Sequence, residues 1–202
     1  MNLEDTVMSI YEGSRWPKKR WIAIFSQTGT EIADIIQTIK VRPDKILTNN
    51  PNPETISPLL EDRWEYYHKD QIEELLGYEQ DVCGDRLLVT LHGYLKLITP
   101  ETIQKGVKIL NGHPADIETY PELKGKDPQE KYWENIDKFD SFGSVIHVVN
   151  EGVDEGNIVA KYAVDKSFMN IETKDDVYKA LRTTSLNCWT QFFTMDGENS
   201  II

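Results

Sequence analysis

The chain has 202 residues, enough for one generous domain with a buried core. Its 39% apolar content is that of a folded chain, and a net charge of -12 speaks against a nucleic-acid or anionic-membrane partner while leaving small-molecule chemistry open. Cys83 and Cys188 have no CxxC partner and sit beside apolar residues, which reads as buried free thiols in a reducing, cytoplasmic setting. No apolar run approaches the roughly 20 residues of a membrane span, and no signal-type apolar stretch opens the chain.

Residues 1–20 read as an N-terminal extension and residues 21–202 as the domain proper. In the extension, "VMSIYEG" suits a short helix, and the cations of "RWPKKR" read as a solvated lead-in to a strand. "WIAIF" at 21–25 has the continuous apolar character of a strand covered on both faces. After "SQTGT", Ile32, Ile35, Ile36 and Ile39 fall at helical spacing. A second strand is expected at 45–48, polar helices at 53–63 and 69–79, and a third strand near 87–91. Thr99 and Pro100 then look like an N-cap and first helical residue. Strands four, five and six are expected at 107–111, 142–152 and 157–165. The aromatic segment around Tyr132, Trp133 and Phe139 reads as packing for a helix, with the lining of a pocket as the alternative. A terminal helix over 173–196 presents Tyr178, Leu181, Leu186, Trp189 and Phe193 as much of its apolar face.

This alternation predicts an α/β fold, a mainly parallel twisted sheet with helices on both faces. Such sheets bind ligands beyond the carboxyl ends of their strands. The turns "SQTGT", "LHGYLKL" and "NGHP" all follow strands, so they gather on that edge. In "NGHP", an extended backbone sends the Asn111 and His113 side chains to the same side, and Pro114 ends the strand. Asn111-Gly112 by itself reads as a routine turn dipeptide, and only the downstream residues point elsewhere.

The ordered set Asn111, His113, Pro114, then Gly143, His147, Val149, then Val153, Asp154, Gly156, Ile158 resembles the folate-dependent formyltransferases. "LHGYLKLITPETI" and "PELKG" add to the likeness, which covers roughly residues 22–164. The resemblance implies the family's Rossmann-like fold and 10-formyl-tetrahydrofolate as cosubstrate. It implies transfer of the formyl group to the primary amine of a small sugar- or nucleotide-linked acceptor. Asn111, His113 and Asp154 become the catalytic set. Leu91, Gly93, Lys96, Leu97, Ile98 and Val149 become the folate-binding residues, and Gly29, Thr30 and Glu31 the acceptor-binding ones.

Those residue types suit the chemistry. Amine attack on a formyl carbon builds an anionic oxygen, which donors from Asn111 and His113 would stabilise, and an ionised Asp154 would support the proton transfer. His147 reads as a structural or supporting residue. His68 and His92 show no ligand spacing, so no metal is implied. Glu31 stands where the glycinamide ribonucleotide branch resembled here has an amide that helps hold phosphate. An ionised carboxylate there either repels phosphate or turns away and complements the helix dipole. The tRNA-directed branch carries a further C-terminal domain, so with this length and acidity a tRNA acceptor is not expected. The alternatives are a glycinamide ribonucleotide formyltransferase of purine synthesis, a formyl-tetrahydrofolate hydrolase and a non-catalytic folate-binding module. A homodimer is left open.

Overall fold

The computed structural model describes residues 19–194. The N-terminal extension lies outside these residues except for its last two, and Arg20 already opens the first strand.

One seven-stranded sheet runs in the order β3-β2-β1-β4-β5-β6-β7. The strands are β1 (Arg20–Phe25), β2 (Lys45–Thr48), β3 (Glu65–Tyr66), β4 (Leu87–His92), β5 (Ile109–His113), β6 (Ser141–Val148) and β7 (Ile158–Asp165). Pairings from β3 through β5 are parallel. The β5–β6 and β6–β7 pairings are antiparallel. Among the described residues, five α-helices accompany them: α1 (Thr30–Ile39), α2 (Lys69–Cys83), α3 (Pro100–Gln104), α4 (Pro128–Glu134) and α5 (Lys174–Thr194). This is the expected α/β architecture.

The period of two along β1 divides the core. Trp21, Ala23 and Phe25 pack with the isoleucines of α1 and with Trp189 and Phe193 of α5. Ile22 and Ile24 pack on the opposite face with Ile72 and Leu76 of α2. Each fully buried aliphatic side chain contributes about 1.5–3 kcal/mol of transfer free energy, so a strand buried on both faces is held firmly. A third cluster, Tyr132, Phe139, Phe142, Val177 and Leu181, fills the space between α4, β6 and α5. The aromatic segment therefore packs, as expected.

Three local expectations are corrected. Residues 53–63 form no α-helix: Pro53–Thr55 and Pro58–Leu60 are single 3₁₀ turns. Proline removes backbone donors, and Glu61 and Asp62 have left-handed φ values of 55° and 54°, so a helical ladder cannot run through. The strand expected over 142–152 ends at Val148, and the following residues leave the sheet as a loop. On α5, Tyr178 is 37% exposed and Leu186 only half-buried. The buried stripe is Val177, Ala180, Leu181, Thr184, Ser185, Cys188, Trp189, Phe192 and Phe193. That stripe is broad because α5 lies over β6 and β7 and also against α1.

Candidate active site

β5 is the central element. Its residue Asn111 lies opposite His147 of β6, and His113 opposite Val145. Gly112, between them, faces the other side of the sheet, where a Cβ would meet Trp189 Nε1 at 2.5 Å. No other residue type fits that contact without displacing the indole, so Asn111 and His113 are left sharing the α2-side face.

Asp154 comes to them on the β6–β7 loop. Its φ of 54° is a left-handed conformation for a non-glycine residue, of the kind that concentrates at functional sites. The loop can close because Gly156 lies against the end of β6: a Cβ there would sit 1.6 Å from the Val148 carbonyl oxygen. Asp154 Oδ2 lies 3.3 Å from His113 Nδ1, and Asp154 Oδ1 lies 3.2 Å from His147 Nε2. The Gly125 N–H donates to Asp154 Oδ2 at 2.8 Å. His113 Nε2–H donates to the Leu123 carbonyl at 3.0 Å, and His147 Nδ1–H to the Val148 carbonyl at 3.1 Å. Asn111 Nδ2 lies 3.1 Å from His147 Nε2.

Electrostatics follow from this geometry. Burial depresses the His113 pKa, and the neighbouring Asp154 charge only partly offsets it, so the imidazole is neutral near pH 7. Burial alone would raise the Asp154 pKa, but the His147 contact, the His113 charge and the Gly125 N–H hold it below the usual carboxylate range. A neutral imidazole therefore adjoins an ionised carboxylate. Although two histidines and an aspartate meet here, no group of three or more His, Cys, Asp or Glu among the described residues is placed to hold a metal ion.

The three expected catalytic residues are thus brought together through His147, which the sequence marked only as a supporting residue. The Leu123 carbonyl and the Gly125 N–H, both in "PELKG", also hold the cluster. Main-chain roles of this kind leave no side-chain signal.

The expected folate residues divide into two groups. Leu91 and Ile98 are buried in the core under α2, so their side chains form floor rather than open wall. Val149 is half-buried beside that core, its N–H donating to the Ile109 carbonyl at 2.9 Å. Gly93, Lys96 and Leu97 are exposed, and Leu95 and Leu97, at 67% and 71% exposure, form an apolar rim. The loop is tied to the turn after β1 by the Leu95 N–H donating to Ser26 Oγ at 2.9 Å. Tyr94 of the same loop, not singled out in the sequence, is buried, and burial pushes its hydroxyl pKa up to about 12.

The expected acceptor residues sit at the start of α1. Gly29 is the buried N-cap, and the hydroxyls of Thr28 and Thr30 bond each other at 2.5 Å. Glu31 turns inward. His92 Nδ1–H donates to its Oε2 at 2.8 Å, and Ser185 Oγ–H to its Oε1. Behind His92, Thr90 Oγ1 lies 2.9 Å from Nε2 and accepts the Trp21 indole N–H at 2.9 Å. Burial would raise the Glu31 pKa, but the His92 and Ser185 contacts bring it below its ordinary value. The Trp189 ring packs against His92 at 4.6 Å between centroids, and its buried Nε1 has no hydrogen-bond partner. The sequence did not signal that His92 and Ser185 would be the partners.

Residues 20–191 match the family profile described as Formyl transferase. A phosphoribosylglycinamide formyltransferase of Haemophilus influenzae (strain ATCC 51907 / DSM 11121 / KW20 / Rd) is 35% identical over 97 residues, 46% of this chain and 42% of that enzyme. Less than half of that relative's length is therefore matched. Among solved structures, a phosphoribosylglycinamide formyltransferase from Streptococcus pneumoniae TIGR4 superposes with a TM-score of 0.68 at 20% identity, covering 87% of this chain and 96% of that one. A formyltetrahydrofolate deformylase from Pseudomonas syringae pv. tomato str. DC3000 gives a TM-score of 0.62 at 16% identity, covering 99% of this chain and 74% of that one. The structural likenesses speak to the fold, and the family match spans most of the sequence and includes every catalytic candidate. The chain belongs to the formyl transferase family.

Proposed function

We propose that the protein transfers a formyl group from 10-formyl-tetrahydrofolate to the primary amine of a small acceptor. The observation that carries this reading is the meeting of Asn111, His113 and Asp154 at the carboxyl edge of the sheet. In this reading the Asn111 amide donates to the oxygen that gains charge when the amine attacks the formyl carbon, and His113, held by its Nε2–H on the Leu123 carbonyl, takes up a proton at Nδ1 beside Asp154. Asp154 stabilises the imidazolium and supports passage of the proton from amine to folate nitrogen. The exposed Leu95 and Leu97 offer an apolar surface for the flat face of a folate ring.

Two lines bear on the acceptor. The relatives described as phosphoribosylglycinamide formyltransferases support that phosphorylated amine over an unphosphorylated amino sugar. Glu31 supports the opposite choice, because its ionised carboxylate lies in the first turn of α1, where a helix would otherwise favour an anion. Phosphoribosylglycinamide therefore stands as a second reading, supported by the relatives, beside a non-anionic acceptor supported by this carboxylate.

The test offers 10-formyl-tetrahydrofolate with phosphoribosylglycinamide and with a panel of unphosphorylated amino sugars, following deformylated folate and formylated amine together. Transfer to one class is expected. Formate release without any formylated amine would replace transfer with hydrolysis, and binding of folate without turnover would leave a binding module.

A further inference from the structure

His147 Nε2 stands between two partners that make opposite demands. Its other nitrogen is committed, since a carbonyl oxygen only accepts and Nδ1 must therefore carry a proton toward Val148. The Asn111 Nδ2, 3.1 Å from Nε2, only donates and requires a lone pair there. The Asp154 Oδ1, 3.2 Å from the same Nε2, only accepts when ionised and requires a proton there. One ring nitrogen meets one demand at a time.

We propose that His147 is a positioning residue for formyl transfer: its Nε2 lone pair orients the Asn111 amide, and a proton gained at Nε2 frees that amide and bonds Asp154 instead. In the first state, one Asn111 Nδ2 hydrogen is anchored on Nε2 and the second points to the reacting centre. In the second state, the proton on Nε2 goes to Asp154 Oδ1, and Asn111 loses its anchor or turns its own oxygen to the ring. The outer ring bond to Val148 persists in both, so the ring keeps its place and only the inner proton changes. The register makes the pairing possible, because Asn111 and His147 are cross-strand neighbours. The groups facing His147 are Asp154 from the β6–β7 loop and His113 from β5, with Lys131 of α4 acting on His113. The catalytic meaning of this arrangement rests on the proposed transfer reaction, but the proton arrangement itself does not.

Long-range ¹⁵N–¹H correlation spectra of the full chain report the protonation of each imidazole nitrogen. His147, assigned by comparison with His147→Gln, is expected as the Nδ1–H tautomer with a bare Nε2 at pH 8. Asn111→Asp replaces the donor with an acceptor, so the Nε2 signal of His147 should move toward that of a proton-bearing nitrogen in a spectrum recorded at the same pH. An Nε2–H tautomer in the unmodified protein, or no spectral response to Asn111→Asp, overturns the proposal whether or not formyl transfer occurs. With transfer established, His147→Phe should lower kcat about tenfold, the equivalent of one ordinary hydrogen bond, without raising the folate KM. His147→Gln, which still offers an oxygen lone pair, should recover part of the loss. Unchanged kcat in His147→Phe also overturns it. Should that variant fail to fold by near-ultraviolet circular dichroism, the tautomer spectra and His147→Gln decide.

Discussion

Asn111, His113 and Asp154 form one electrostatic unit with His147, so their removal should be strongly non-additive. Asn111→Ala is expected to lower turnover about 100- to 1000-fold, the usual loss for one oxyanion donor. Binding of a non-transferable folate analogue, read by calorimetry, should barely change. Asp154→Asn removes the charge but keeps the shape and should be at least as damaging. The His113→Ala/Asp154→Asn pair should lose far less than the product of the single effects in single-turnover assays. Near wild-type turnover in any single variant removes that residue from the unit. Glu31→Gln isolates the acceptor question: it keeps the size and the His92 contact while losing the charge. A several-fold lower KM for a phosphorylated amine would follow from removal of like-charge repulsion. An unchanged KM would show that the inward bonds to His92 and Ser185 screen the carboxylate from the acceptor. The trio was legible because "NGHP" and "VDEG" are compact and ordered. The His147 contact was not, because cross-strand register sets it, and the partners are 36 positions apart.

At the scale of elements, β5 and α5 meet at Gly112 and Trp189. A methyl group on Gly112 would stand 2.5 Å from the indole nitrogen. Gly112→Ala should therefore destabilise by about 1–3 kcal/mol, as overpacking does. It should also cut turnover, because the displaced backbone carries Asn111 and His113. Adding Trp189→Phe supplies space, so the double variant should recover melting temperature relative to the sum of the single losses. Additive losses would show that the clash is relieved elsewhere. Neither residue was connected to the other in the sequence: Trp189 entered as one apolar position on a helix, and Gly112 as half of a turn dipeptide. Periodicity succeeded for α1, whose isoleucines all lie on one buried stripe. It failed on α5, where contact with α1 as well as the sheet widens the stripe and moves it away from Tyr178. The segment 53–63 failed for a different reason. Its leucines and charges look helical, but Pro53 and Pro58 each open only a single 3₁₀ turn.

For the whole molecule, the β-α alternation made the parallel half of the sheet legible, while the antiparallel hairpin that delivers Asp154 read only as two further strands. Joining the halves buries titratable groups at the seam, and this sets an acid response in two steps. Burial lowers the His113 pKa below its ordinary value of about 6.5. Above that pH the group is neutral folded and unfolded, and its contribution to stability is fully present. Below it the unfolded chain takes up a proton that the folded protein resists, so stability falls with pH until the lowered folded value is passed. Asp154 and Glu31 are also lowered, despite burial, by their bonded partners. Their contributions stay intact until pH falls below about 4, the unfolded carboxylate range. The net charge of -12 works the other way in the first window, because partial neutralisation relieves self-repulsion. The measurement must therefore be differential. Melting temperatures of wild type and His113→Asn at pH 8 and pH 5.5 share the background charge, and an asparagine amide can still donate toward the Leu123 carbonyl. Wild type should lose more on acidification than His113→Asn, and the two should converge in slope below pH 4, where the carboxylates titrate in both. Equal losses between pH 8 and pH 5.5 would mean that the His113 imidazole takes up its proton as readily in the fold as in the open chain, and the neutral imidazole beside an ionised Asp154 would then be wrong.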